Sequence, residues 1–494
     1  MASSDGSTSV SLMCISGIIL AAYLLWQSVA HTGFKYMPPA ATTILWGALL
    51  GWLSRTHDLH YLTDFFQFDS AHFFDILLPF IVVEAGYTLK KRYFFANIGK
   101  ILTMAIVGTV LSIILTSLGM IYLLDSGAGG DEEEGLTLVG VIRLATAVSA
   151  VDPVTAIAAF GSLSADQDLT FTVLGESILN DAVVAAIFHA LDSYTGDSAG
   201  DLVKQVGTQF VIVLLGSVLV GVGVAVLASF YFKYLRILSS SRIAEVVSLL
   251  CWYMLAYSAC NALHWSGIAG GVTAGLVFSH YTKYNLSPAG ASLSVPLFET
   301  ISGVATIIVF ISLGLAAMGP THAFDMAFDF SLVGIVIAVR FVVVFLLFPI
   351  CNLFSKHKMG VGALVMVAYA GMAGAVTAGL VVLFPARYMS AGFVLVLVSV
   401  VVKGPFLYPL LRLIGIPIGQ ASRPLSPFKD NFDTLHLKPL LVYGYSREKE
   451  VVRRLREDPR HSRQSSAMST MSMGDDGSRD MSGILAGVPH VTSV

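Results

Sequence analysis

Gly175-Glu-Ser-Ile-Leu-Asn-Asp-Ala-Val-Val184 lies inside an apolar stretch running from about 170 to 191. That length suits a helix crossing the hydrocarbon core of a bilayer. Yet Glu176, Asn180 and Asp181 place two carboxylates and an amide within six residues of it. An ionised carboxylate at mid-bilayer costs about 2.5–3.5 kcal/mol or more, so such residues face a cavity, a partner or an ion path. The stretch therefore predicts a spanning helix with one polar face turned into the protein.

The rest of the chain fits that reading. Of its 494 residues 55% are hydrophobic and 12% charged, about half the charged share of a soluble domain, and the mean hydropathy is +0.77. Thirteen apolar stretches are expected to span: roughly 10–30, 38–54, 72–89, 101–124, 136–160, 170–191, 206–230, 243–260, 264–280, 296–318, 328–354, 360–384 and 389–412. The expected fold class is an all-α polytopic membrane protein. Residues 1–414 form its membrane domain, 415–446 a membrane-proximal segment and 447–494 a disordered tail rich in Ser, Arg, Met, Asp and Gly.

Alternate loops differ in charge. One set holds Lys35, Lys90, Lys91, Arg92, Lys233, Arg236, Arg242, Lys283, Lys356 and Lys358; the other holds Arg55, Lys204, Arg387 and the acidic Asp131–Glu134. Lys and Arg concentrate on the cytosolic side, which puts the N-terminus outside or in a lumen and the C-terminal tail in the cytosol. In that tail, Arg453, Arg454 and Arg456 suit anionic lipid, a cytosolic regulator or plain solvation, and Arg463-Gln-Ser-Ser466 suits a kinase. Ser28-Val-Ala30 resembles a cleavage site, so a removed leader competes with a retained first span. Cys14, Cys251, Cys260 and Cys351 fall in apolar segments without metal-ligand spacing, and read as packing residues.

Other polar groups interrupt the spans. In Ser149-Ala-Val-Asp152-Pro153 the proline removes a backbone donor and disfavours helix at the residue before it. A break is expected there, although an ordinary proline kink would carry the same residues. Gly371-Met-Ala-Gly374 interrupts the twelfth stretch, seven later. If stretches 1–6 and 8–13 form inverted halves, the two breaks correspond, and paired broken helices mark a midplane site. On the sixth helix Ser177 stands one turn before Asp181, and Glu176 one turn before Asn180. Hard oxygens so spaced suit a dehydrated cation; an interhelical polar clamp is the plainer alternative. Glu84 lies inside the third stretch and Arg340 inside the eleventh. A buried Arg needs an acid, and Glu176 is the natural one. Arg143 and Lys403 lie near span ends, where snorkelling explains a cation.

Together Leu78-Pro-Phe-Ile-Val-Val-Glu-Ala-Gly-Tyr87, Ser149-Ala-Val-Asp-Pro153, Gly175-Glu-Ser-Ile-Leu-Asn-Asp-Ala182 and Phe310-Ile-Ser-Leu-Gly314 resemble the eukaryotic sodium/proton exchangers of the monovalent cation/proton antiporter superfamily. Lys90-Lys-Arg-Tyr-Phe-Phe95 and Leu437-Lys-Pro-Leu-Leu441 are most similar to the organellar members. The resemblance implies about thirteen helices in two inverted repeats with broken crossing helices, a dimerisation domain and a moving core, homodimers, and exchange of Na+ or K+ for H+. It implies Asp181 as the ion- and proton-binding carboxylate, with Asp152, Ser177, Asn180 and Glu84 in or near the site and Glu176–Arg340 as a structural pair. An Asn-Asp pair goes with electroneutral exchange in such proteins. Their twelfth-helix Arg is replaced here by Ala373, and a Glu before Phe310 by Thr306.

A membrane sensor or scaffold that kept the exchanger fold is the competing function; those two replacements favour it and the intact acidic site opposes it. Nothing in the sequence carries a nucleotide loop, a nucleophile triad, zinc spacing or a nucleic-acid-binding pattern. No cofactor is expected beyond the transported ions, and membrane lipids surround the chain in plasma membrane, endosome or Golgi.

Overall fold

The computed structural model describes residues 2–31, 37–57, 66, 70–125, 136–152, 167–196, 199–235, 240–318, 324–354, 358–415 and 433–445. Among them every regular element is a helix. The chain divides into two compact units, Met1–Lys429 and Asp430–Val494. The described part of the second is a short helical segment, Asp433–Leu437 followed by Lys438–Leu441, in which Lys438 pairs with Asp433 at 3.6 Å.

In the first unit the helices of seven residues or more are α1 (Ala2–His31), α2 (Pro39–Thr56), α3 (Ser70–Thr88), α4 (Ile98–Leu123), α5 (Leu138–Val148), α6 (Gln167–Asp192) and α7 (Ala199–Tyr234). They continue with α8 (Arg242–Ala262), α9 (Gly267–His280), α10 (Pro288–Ala316), α11 (Met326–Phe354), α12 (Val361–Ala370), α13 (Ala375–Val381) and α14 (Ala386–Ile414). Among the described residues eight helices are long and apolar enough to span, or nine when α12 and α13, bent by 41° at their break, count as one. Helix occupies all thirteen expected stretches, but α5 is described only to the break after Val148. Pro153, expected to cause that break, lies outside the described residues, as do Asp131–Glu134 and the tail beyond residue 445.

Local chemistry sets several helix starts. Thr137, Ser241, Ser266 and Ser287 each accept the N–H three residues on, the side-chain cap that replaces a missing helical carbonyl. Burial then sorts the helices. In α6, 89% of the apolar window is buried, against 22% in α7 and 28% in α11. The helix with the most intramembrane charge is thus the central one, packed on α4, α5, α7 and α9.

Candidate ion site at the crossing of two broken helices

Two interruptions meet beside α6. After Val148 the chain leaves helical geometry through Asp152, and after Ala370 it does so through Gly374. Backbone groups freed inside a membrane protein must find partners, and here they find them from several directions. The Asp152 N–H donates to the Met372 carbonyl at 2.7 Å. Asn180 Oδ1 accepts the Val151 N–H at 2.9 Å, while its Nδ2 donates to Thr109 Oγ1 at 2.6 Å and to the Ser149 carbonyl at 3.3 Å. Thr377 Oγ1 donates to the Ala150 carbonyl at 3.4 Å, and Lys403 Nζ to the Gly371 carbonyl at 2.9 Å. Each freed carbonyl from Ser149, Ala150, Gly371 and Met372 is thereby closed.

Glycines permit the approach. A Cβ at Gly374 would run into Cβ and Cγ of Asp152, and one at Gly371 into Nε of Arg340. This is a steric need for small residues, separate from backbone freedom.

On one side of the crossing lies a cavity of about 40 Å³, room for a few water-sized positions at most. Its polar lining residues are Asp152, Asp181 and Thr306; the rest, including Leu78, Ile178 and Phe310, are apolar. Asp181 Oδ1 is buried and has no hydrogen-bond partner among the described residues. Two carboxyl groups in so apolar a space have the chemistry to take one small cation or a proton.

A second cavity at the crossing, of about 30 Å³, is lined by residues that include Arg340, Lys403, Gly371, Met372 and Ala373. Arg340 Nη1 pairs with Glu176 Oε1 at 2.6 Å and its Nη2 reaches the Val367 carbonyl at 3.4 Å. The exposures, 11% for Arg340 and 1% for Glu176, make this a buried pair. Asp152 and Asp181 thus line one cavity and Arg340 and Lys403 the other, with Glu176 paired to Arg340.

The expected site residues do not all converge. Asp152 and Asp181 share the cavity, and Thr306 joins them. Asn180 is spent on the break, as a clamp. Ser177 is fully buried, outside the cavity lining, with its Oγ unpartnered among the described residues. Glu84 stands apart from the lining and accepts a hydrogen bond from Ser302 on α10 at 3.2 Å. Lys403, read from its position as a snorkelling end residue, is 9% exposed and turned inward. Val398–Lys403 forms a π-helical turn, which shifts the register of α14 and brings the lysine to the crossing. Its sequence signal was a lysine within an apolar run. Thr109 and Thr377 carried none beyond being hydroxyls.

Charged and polar groups also tie the helices at the two ends of the bundle. At one, Lys91 donates to the Ser279 carbonyl, Lys283 lies 5.8 Å from the Tyr87 ring, and Asn97 donates to Asp168 at 3.3 Å. At the other, Arg143 pairs with Asp192 and stacks over Phe188 at 4.9 Å, and Arg387 pairs with Asp325. Asp325 accepts the N–H groups of Ala327 and Phe328 as the cap of α11. The Phe328 bond first, then Arg387, holds its carboxyl below the usual value.

The profile described as sodium/hydrogen exchanger, transmembrane, matches residues 17–413. Sodium/hydrogen exchanger 8 of Mus musculus is 28% identical over 428 residues, covering 84% of this chain and 73% of that protein. Sodium/hydrogen exchanger 1 of Dictyostelium discoideum is 28% identical over 422 residues, covering 84% of this chain and 60% of that one. The solved sodium proton antiporter MjNhaP1 from Methanocaldococcus jannaschii superposes with a TM-score of 0.59 at 17% identity, over 83% of this chain and 100% of its own.

Proposed function

Because the chain belongs to the sodium/hydrogen exchanger transmembrane family, we propose that Asp181 is the carboxylate for which Na+ and H+ compete, with Asp152 beside it. The protein is a multi-pass membrane protein and a secondary antiporter of Na+ against H+; it is not an enzyme. The observation that carries the site is the small cavity in which Asp152, Asp181 and Thr306 alone are polar.

In this reading a cation enters the cavity, sheds most of its water, and takes oxygens from Asp181, Asp152 and the Thr306 hydroxyl. Protonation of Asp181 removes the charge that held the cation, so the two loads exclude one another. Glu176–Arg340 holds α6 to α11, and Asn180 with Thr377 holds the breaks in register. Ser177 supports α6 behind the site, and Glu84 stands on the approach to it. Exchange is one-for-one and electroneutral, and K+ competes with Na+ because both accept the same oxygens.

The working form is a homodimer in a lipid membrane, with its tail open to cytosolic regulators. The basic loops that gather at one end of the bundle support placing that end, and the C-terminus, in the cytosol.

The test is Na+-driven pH change in proteoliposomes. Wild type exchanges; Asp181→Asn, purified with unaltered folding, does not. Cation-dependent proton flux surviving in that variant sinks the assignment.

A further inference from the structure

The crossing has an unequal set of charges. Once Arg143, paired with Asp192, and the groups within four residues of a helix end are set aside, α5, α6 and α11 to α14, with the two breaks, carry five acidic or basic side chains: Asp152, Glu176 and Asp181 against Arg340 and Lys403. Arg143 and Arg387 are elsewhere, each paired with an aspartate at the outer rim. Arg340 is matched by Glu176. Lys403 has no carboxylate within ion-pair distance among the described residues; its ammonium is bound to the Gly371 carbonyl and lies 5.4 Å from the Tyr369 ring.

The position explains that isolation. Gly371 ends α12, where the last carbonyls of a helix gather partial negative charge. Lys403 meets that end, and across the same crossing stand Asp152 and Asp181. We propose that Lys403 is the fixed cation that brings the cation-loaded crossing to zero net charge. With three carboxylates and two basic groups, the empty crossing carries one negative charge, and a single monovalent ion cancels it. A neutral assembly crosses the membrane field without electrical work, whereas a charged one is held back. Lys403 thus acts through the crossing as a positioning residue and not as a ligand. Ala373 lines the same small cavity as Lys403, so a cation moved there from α14 would occupy equivalent surroundings.

The inference rests on Asp181 as the loading carboxylate, and its test isolates the loaded step. Radioactive Na+/Na+ exchange at equilibrium cycles only the cation-loaded form. In proteoliposomes, with potential imposed by a thiocyanate gradient, the wild-type rate is expected to be independent of potential. Lys403→Gln should slow it at least about tenfold and make it vary with potential, while half-saturation by Na+ stays within about threefold. Lys403→Arg and the double variant Ala373→Lys/Lys403→Gln should each recover most of the rate and the potential independence. A wild-type rate that varies with potential overturns the inference, even if no variant can be purified. So does a Lys403→Gln protein that matches wild type, or one that is slow, potential-independent and unrescued by the relocated charge, which is the pattern of a purely structural defect. Absence of any Na+ exchange in wild type would instead sink the assignment of Asp181.

Discussion

The backbone N–H of Asp152 donates to the carbonyl of Met372 at 2.7 Å, so the two broken helices are joined at their breaks by a main-chain hydrogen bond. The main chain from which the Asp152 carboxyl projects is therefore tied to the second break.

Gly374 faces that junction. Gly374→Ala would press a methyl group into Asp152, and overpacking of this kind costs about 1–3 kcal/mol. Thermal unfolding of the purified variant should show the loss, with Na+/H+ exchange reduced further than the stability change explains. Normal exchange in Gly374→Ala would mean that the breaks separate freely.

Asn180 makes three hydrogen bonds across two elements. Asn180→Asp keeps the acceptor for Val151 but loses both donated bonds and adds a third carboxylate beside Asp152 and Asp181. We expect a destabilisation of about 1–3 kcal/mol from the orphaned acceptors alone. An unfolding midpoint equal to wild type would contradict the clamp.

Glu176→Gln leaves Arg340 buried without its counter-charge, and breaking one side of a buried pair costs about 3–5 kcal/mol. The double change Glu176→Gln/Arg340→Gln should recover part of that loss. A double-mutant cycle on unfolding checks it, and additive effects would show that the pair is not coupled.

At the rim, Asp325 has its carboxyl below the ordinary value of 3.8 through the Phe328 N–H and Arg387. A carboxylate with a depressed folded value stabilises fully above its unfolded value, and the contribution fades as pH falls through the folded one. The tie therefore persists at mildly acidic pH. Asp325→Asn should lower the unfolding midpoint by a similar small amount at about pH 7 and about pH 5, the difference closing only below about pH 4. A gap that closes already at about pH 5 would refute the sign.

Much of this architecture could be read from residues because lipid penalises errors so heavily. Two acids in an apolar run demanded an interior face, and a lone Arg340 demanded Glu176; both are met. The breaks were legible at Asp152 and at Gly371 and Gly374 for the same reason. What escaped depends on register. Lys403 sits near a span end by counting, yet one π-helical turn rotates it inward. Asn180 is adjacent to Asp181 in sequence, but which side of α6 meets the break follows from packing that no spacing encodes. Glu84 shared an apolar run with cavity residues Leu78 and Ile81, and its Ser302 partner lies more than two hundred residues away.

The closed carbonyls at the crossing also bear on how such a site diverges by descent. Its stitches come from α6, α13 and α14, each with its own mutational history. A basic residue lost from one helix can be replaced from another while the seat for the ion keeps its shape. Ala373 and Lys403 show how little separates two such addresses: both line one small cavity, and the main-chain tie between the two breaks depends on neither side chain.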